Sequence, residues 1–263
     1  MLQLLTSEYL AAYKAQQPYT LDKHLRKLTN TTTNIADFKF YLMSSAVYSS
    51  QIEGNPIDLD SYLKFNESGM NTKGKSFKEI QDLTTAYQFA AENPISYANL
   101  LKIHALLSQN ILEEAAYRGQ IRDKEVGVYA EGKKIYSAAN ANIVAVEVEK
   151  LVSDVLFLLR ESENNTLESD AIFYYAAQIH LRLAQIHPFA DGNGRTARLL
   201  EKWFLSACIG QKAWSIASEK QYFLQKKAYY INIHLGNSYE NLDYTHCLPF
   251  LLMLPKANLV ISV

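Results

Sequence analysis

Twelve consecutive residues, His187-Pro188-Phe189-Ala190-Asp191-Gly192-Asn193-Gly194-Arg195-Thr196-Ala197-Arg198, hold an imidazole, a carboxylate, two glycines and two guanidiniums in one short stretch. Imidazole is the side chain best matched to taking a proton near neutral pH, so His187 is a candidate general base. Asp191 is a candidate Mg²⁺ ligand, because Mg²⁺ is commonly held by one carboxylate while phosphate oxygens and waters complete its shell. Arg195 and Arg198 stand three apart, a spacing that turns both side chains of a helix to one side, where paired N–H groups suit phosphate oxygens. Gly192 and Gly194 let a backbone approach a ligand closely. The chemistry these types allow is a nucleotide-phosphate site with a base beside it.

Two helices must position it. Ile172, Ala176, Ile179, Leu183 and Ile186 recur at three- and four-residue spacing, which predicts a helix from Ala171 to Ile186. Pro188 restricts the residue before it, so His187 is expected as the last helical residue, held by the core and facing the loop. A second helix is expected to begin at Asn193 and run through Leu200 and Trp203. Its bare N–H groups and dipole make an anion site. Arg195, at the start of that helix, is expected to be solvated and to matter little to folding.

The run His187 to Arg198 resembles the signature of Fic-domain proteins, H-P-F-x-D-G-N-G-R-x-x-R, at every specified position. The resemblance implies an all-α, Fic-type helical bundle that transfers AMP from ATP, with Mg²⁺, onto a Ser, Thr or Tyr hydroxyl of a target protein. It implies His187 as the base, Asp191 as the metal ligand, and Asn193 with the Gly192 and Gly194 amides around the α-phosphate. Arg195 and Arg198 would hold the β- and γ-phosphates, and Phe189 would anchor the loop in the core. Relatives that transfer phosphate carry a lysine where this chain has Gly194.

Ser49-Ser50-Gln51-Ile52-Glu53-Gly54 is the second informative stretch. Ile35, Phe38, Leu42 and Ala46 give a helical stripe ahead of it, and Gly54-Asn55-Pro56 stops it. Ser45, Ser49 and Glu53 then share one face at four-residue steps. A carboxylate in a helix's last turn is disfavoured by the dipole, so Glu53 calls for a cation. The stretch resembles the inhibitory pattern S/T-x-x-x-E-G/N of Fic proteins, in which Glu53 would pair with Arg198, occupy the γ-phosphate's place and keep the enzyme inactive.

Glu125 to Tyr129 and Lys134 to Tyr136 flank Ala130-Glu131-Gly132-Lys133 and read as two short strands around a turn. By resemblance this is a flap beside the active site, with Val126, Val128 and Ile135 docking the target segment by strand addition. Ala138-Ala139-Asn140-Ala141-Asn142 stands where many relatives carry prolines. Tyr229 and Tyr230, on a helix read from Lys220 towards Leu235, resemble the paired tyrosines at the nucleotide's base end. His104 and His180 read as structural. His24, His234 and His246 have no metal-ligand spacing.

The 263 residues, 48% hydrophobic with a net charge of −1, suit one compact unit and argue against nucleic acid or a membrane as partner. No apolar run approaches the ~18 residues of a membrane span and no leader pattern opens the chain. Cys208 and Cys247 fit no metal or redox spacing and read as buried thiols of a reducing compartment, which predicts a cytoplasmic protein. The stretch beyond Pro249 is short, so the winged-helix module some relatives append is not expected. Ser76 and Glu79 form a capping-box pattern opening a helix through Ala91, and further helices are read at Leu101 to Ile111 and Ile143 to Leu159. Ile57 to Gly74, with Asn66, Gly69 and Asn71, reads as a soft joint. The organisation expected is an N-terminal helical extension with the inhibitory helix, residues 1–72, and a catalytic core with flap and C-terminal helices, residues 73–263. The function expected is an autoinhibited, ATP- and Mg²⁺-dependent protein adenylyltransferase. Two alternatives stay open: a hydrolase that removes AMP using Glu53, and a nucleotide-sensing binding protein without turnover. The target and the oligomeric state are not legible, and a homo-oligomer remains open.

Overall fold

The computed structural model describes residues 1–17, 21, 35–67 and 74–257. Helices carry most of them: α1 (Leu10–Gln16), α2 (Ile35–Ile52), α3 (Leu59–Glu67), α4 (Lys75–Glu92), α5 (Tyr97–Leu107), α6 (Val144–Glu163), α7 (Ser169–Ile186), α8 (Asn193–Ile209), α9 (Ser218–Leu224), α10 (Lys226–Ile233), α11 (Leu248–Leu251) and α12 (Met253–Lys256). A hairpin of β1 (Gly127–Ala130) and β2 (Lys133–Ser137) lies between α5 and α6. This is the mostly helical fold with one small hairpin that the periodicity implies.

The predicted stripe of α7 is buried throughout, and so are its off-stripe residues Phe173, Tyr174, Ala177 and Leu181. A helix covered on all sides is a central one. It packs against α8, whose Ala197, Leu200 and Phe204 are equally buried. Each such Leu, Ile or Phe contributes about 1.5–3 kcal/mol by leaving water, so α7 and α8 hold the loop between them as one rigid unit.

Helix α2 lies against α4, α8 and α9. Leu42 and Ala46 are buried as expected, but Ile35 is 77% exposed and does not belong to the core stripe. The helix instead turns Ser45, Ser49 and Ser50 inward, a polar face that needs polar partners. The capping box is also corrected. Gly74 caps α4 without a side-chain bond, Ser76 sits inside the first turn, and Glu79 faces Asn55 and Arg195 instead of its own helix end. The helix read from Lys220 towards Leu235 is two, α9 and α10, broken at Gln225.

Residues 1–9 are stapled to the bundle: the buried Asp154 carboxylate of α6 accepts the N–H groups of Gln3, Leu4 and Leu5 at 2.7–2.8 Å. One hydrophobic cluster includes Leu5, Tyr13, Leu42 and the α7–α8 core. Part of the soft joint is helical, as α3. Gly69, Asn71, the 72/73 boundary and His24 lie outside the described residues. In the hairpin, Glu131 (φ +50°) and Gly132 (φ +75°) make a two-residue turn with both φ positive, the form that matches strand twist, and the register slips by one at Val128/Tyr129. Among the described residues no helix is long and apolar enough to cross a membrane. Cys208 and Cys247 are free; Cys247 is buried and Cys208 partly so, and burial pushes both thiols up to about 11.

Candidate active site

Helix α7 ends at Ile186, and His187 follows as its cap in the left-handed region, φ +54° and ψ 58°. The histidine therefore sits one residue beyond the predicted position, because Pro188 disfavours helical backbone before it. Its Nδ1 lies 3.1 Å from the Ala184 carbonyl. A carbonyl only accepts, so Nδ1 carries the proton and Nε2 keeps the lone pair a base needs. Burial pushes the imidazole below its ordinary value of 6.5; the Ala184 carbonyl opposes this, the Arg122 charge adds to it, and Glu53 and Asp191 oppose it. The ring is a neutral base at pH 7.

Behind the loop, Phe189 is fully buried and stacks on His104 at 3.7 Å between ring centres. His104 Nδ1 accepts the Gly119 N–H at 2.9 Å, which leaves Nε2–H to donate to the Asp191 carbonyl at 2.9 Å. Burial drops this imidazole to about 4, so it stays neutral and shapes the loop under Asp191. Asn193 does the same from the other side: its Oδ1 accepts the Phe189 N–H and its Nδ2 donates to the Phe189 carbonyl. Gly192 takes φ +79° as the N-cap of α8, and the first intrahelical bond runs from the Thr196 N–H to the Gly192 carbonyl. The N–H groups of Asn193, Gly194 and Arg195 precede it and point out of the helix end, towards an anion. The Asp191 carboxylate is exposed beside them and accepts the Gly192 N–H.

The two arginines differ. Arg198 is fully buried. Its Nε donates to Ser49 Oγ at 2.9 Å, Nη1 to Tyr229 Oη at 3.1 Å, and Nη2 to the Ser49 carbonyl at 3.0 Å and Glu53 Oε1 at 2.6 Å. Burial alone would raise the Glu53 carboxyl, but Arg198, helped by Arg195 and Lys226, holds it below the ordinary carboxylate value. Glu53 Oε1 lies 2.5 Å from where a Cβ on Gly194 would sit, so it covers the first turn of α8. Arg195, expected to be solvated, is only 7% exposed, because α4 closes over it. Its Nη groups stand 3.8 Å from Glu79 and 3.9 Å from Asp191, beyond hydrogen-bond reach, and its buried Nε has no partner.

The polar face of α2 continues past this pair. Ser45 Oγ accepts from Lys202 Nζ at 2.7 Å and donates to Glu219 at 3.1 Å, and Glu219 is paired with Lys202 and takes the Tyr87 hydroxyl. Glu53, Ser49 and Ser45 thus meet Gly194, Arg198 and Lys202 turn by turn. Tyr229 is buried, with its hydroxyl engaged by Arg198 and His180, so it holds Arg198 instead of facing open space. Tyr230 is partly exposed and donates to the Ile52 carbonyl. His180 is structural as read, bridging Glu201 and Tyr229.

On the other side, a cleft of about 460 Å³ separates the hairpin from the loop, lined by Glu125, Val126, Gly127, Tyr129, Lys134, Ser137 and Ala190. Val126 lines it; Val128 and Ile135 lie on the hairpin outside that lining, and Ile135 is exposed. The Ser137 N–H donates to the Asn237 carbonyl, which straps the β2 side of the hairpin to the loop after α10. Among the described residues β1 has no backbone partner on its outer edge. Arg122, Glu79 and the Lys202–Glu219 pair join the site without having been expected from the sequence. Charge at a buried helical position was the one available signal, and for Arg122, in an irregular segment, there was none.

Among the described residues no cluster of three or more His, Cys, Asp or Glu offers a metal cage. Asp191 alone fits Mg²⁺ only if phosphates complete the shell, and the orphaned Arg195 Nε and bare α8 amides fit those phosphates.

Residues 94–205 match the model of the Fic/DOC family, a span that holds the hairpin, the histidine, the loop and both arginines. Across that span the chain is similar to the Fic/DOC family. It is related to Fic adenylyltransferases: it is 31% identical over 159 residues to protein adenylyltransferase fic-1 of Caenorhabditis elegans, covering 57% of this chain and 28% of that protein. Over 49 residues, 18% of this chain and 9% of the relative, it is 49% identical to a uridine 5'-monophosphate transferase of Xanthomonas campestris. The chain spans about a third or less of the length of the adenylyltransferases it matches. The crystal structure of a Fic family protein from Desulfovibrio desulfuricans superposes with a TM-score of 0.70 at 22% identity, over 92% of this chain and 75% of that one, which shows a shared Fic fold.

Proposed function

We propose that this Fic-domain chain transfers AMP from ATP to a hydroxyl side chain of a protein and that Glu53 holds it inactive. The observation that carries the reading is the Glu53–Arg198 pair lying over Gly194 at the open N-terminus of α8. A carboxylate placed on a phosphate-binding guanidinium competes with the phosphate for the same N–H groups. In this reading residues 1–72 supply the lock and residues 73–263 the chemistry.

The target hydroxyl enters the cleft between hairpin and loop, with its backbone against the free edge of β1. Its oxygen attacks the α-phosphorus while its proton passes to His187 Nε2, and the bond from that phosphorus to the bridging oxygen breaks to release pyrophosphate. The Asn193, Gly194 and Arg195 amides stabilise the charge on the α-phosphate oxygens. Arg195 and Arg198 orient the β- and γ-phosphates, so the leaving group lies in line. Asp191 would hold Mg²⁺, whose charge would stabilise the leaving pyrophosphate.

Intact-mass spectrometry of the purified chain and of Glu53→Gly, each incubated with ATP and Mg²⁺, tests this. The expected result is a gain of one AMP on Glu53→Gly and little on the wild type. UTP is run beside ATP because one relative is a uridine 5'-monophosphate transferase. Nucleotide binding with no covalent product in either protein, with or without added target lysate, would make the chain a sensor instead.

A further inference from the structure

The carbonyls at the end of α7 are accounted for one by one, and the donors come from an unexpected place. The Leu183 carbonyl takes the His187 N–H at 3.0 Å and Ala184 takes His187 Nδ1. The next four are claimed by the hairpin and its approach. Tyr136, on β2, donates its hydroxyl to the Gln185 carbonyl at 2.8 Å. Arg122 donates Nη2 to Ile186 at 3.3 Å, Nε to His187 at 2.7 Å, and its backbone N–H to Pro188 at 3.0 Å. The remaining guanidinium bonds go to the Lys124 carbonyl, just before β1, and the Ala139 carbonyl, just after β2.

Arg122 is thus a forked bolt between both feet of the flap and the backbone of the catalytic histidine. It is 6% exposed, and its side-chain hydrogen bonds all go to backbone carbonyls. A buried cation with no carboxylate partner is a costly way to fill space, and a lysine could not replace it, since a point charge cannot span carbonyls on three segments. What the fork gains is rigidity where a non-glycine residue holds a left-handed backbone, a conformation that persists only when its surroundings over-determine it. We infer that Arg122 is a positioning residue for His187, fixing the ring in register with the flap edge that borders the target cleft. This rests on His187 being the base of the proposed reaction.

The test uses Glu53→Gly as the active parent and adds Arg122→Lys or Arg122→Gln. Arg122→Lys keeps the charge and loses the fork. It is expected to bind ATP within about twofold of the parent while kcat falls at least ~10-fold, since a misplacement of about 1 Å can cost ~10²-fold. A separate readout needs no activity: the imidazole of His187 is titrated by ¹⁵N NMR in the wild type and in Arg122→Gln, without nucleotide. The charged groups facing the ring are Arg122 from the segment before β1, Glu53 from the end of α2 and Asp191 from the loop, and only the first changes. The ring is expected to titrate higher in Arg122→Gln. Parental kcat in Arg122→Lys, or an unmoved titration in a folded Arg122→Gln, overturns the inference. Should Arg122→Gln not fold, Arg122→Lys and Tyr136→Phe decide by kcat, both being expected to lower it. If the parent transfers no AMP, the proposed function fails while the NMR comparison still decides the role of Arg122.

Discussion

Arg195 and Arg198 stand one turn apart on α8, both buried, and they are in opposite states. Arg198 commits its donors to Ser49, Tyr229 and Glu53, while Arg195 has carboxylates just out of reach and a buried Nε with no partner. A buried donor without a hydrogen bond costs free energy, so a fold that needed Arg195 only for stability would have satisfied its Nε. One arginine is thus saturated by the protein's own groups, a carboxylate among them, and the other keeps an unsatisfied donor. In the proposed function, that contrast places the lock on a single guanidinium, Arg198.

The largest effect is expected from removing the chemistry proposed for both arginines. His187→Ala in the Glu53→Gly background should lower AMP transfer by ~10²–10⁴-fold with ATP affinity little changed, as expected for loss of a general base. Retained transfer would move the base elsewhere and leave the arginines without a common role. A smaller effect separates the arginines themselves in urea unfolding. Arg198→Ala strands Ser49, Tyr229 and Glu53 and should cost about 2–3 kcal/mol, below the 3–5 typical of a broken buried pair because Glu53 is about a third exposed. Arg195→Ala removes no hydrogen bond of the side chain and should cost about 1 kcal/mol or less while weakening ATP binding. Equal costs would end the distinction between a full and an open site.

The smallest expected effect is on pH. The Glu53 carboxyl is held below its ordinary value of 4.5, so the pair's contribution to stability is fully present above pH 4.5 and is lost as pH falls through the lower folded value. The difference in Tm between wild type and Glu53→Gln should therefore be constant from neutral pH down to about 5 and shrink in more acid solution. A difference that grows on acidification would mean that the carboxyl is protonated in the fold.

Much of this was legible in the sequence because it is local. Spacing marked α7, the start signal at Asn193 marked α8, Pro188 marked the end of α7, and the run from His187 to Arg198 is contiguous, so its residues could be grouped without tertiary information. The pairing of Glu53 with Arg198 was readable because a carboxylate at a helix end calls for a cation, although only the resemblance said which one. What was not legible depends on packing between distant segments. Arg195 looked like a solvated helix-start residue because nothing near it in sequence says that α4 closes over it. Ser45 and Ser49 turn inward against the apolar stripe that included Ile35, since α8 and α9 offer them Arg198, Lys202 and Glu219, while the buried Ser50 hydroxyl has no partner. Glu79 fitted a capping box by spacing, and partners outside its own helix drew it away. Arg122 lies in irregular chain, where no periodicity marks a buried residue.

If Glu53 stands in the γ-phosphate's place on Arg198, the affinity difference between ATP and ADP measures it directly. By calorimetry with Mg²⁺, the ratio of Kd for ADP to Kd for ATP should be near one in the wild type, because the γ-phosphate finds its guanidinium taken. It should rise about 10-fold or more in Glu53→Gly, as a charge-assisted hydrogen bond of about 1.5–3 kcal/mol becomes available, and return to near one in Glu53→Gly/Arg198→Ala. A wild type that already prefers ATP by the factor seen in Glu53→Gly would contradict the claim.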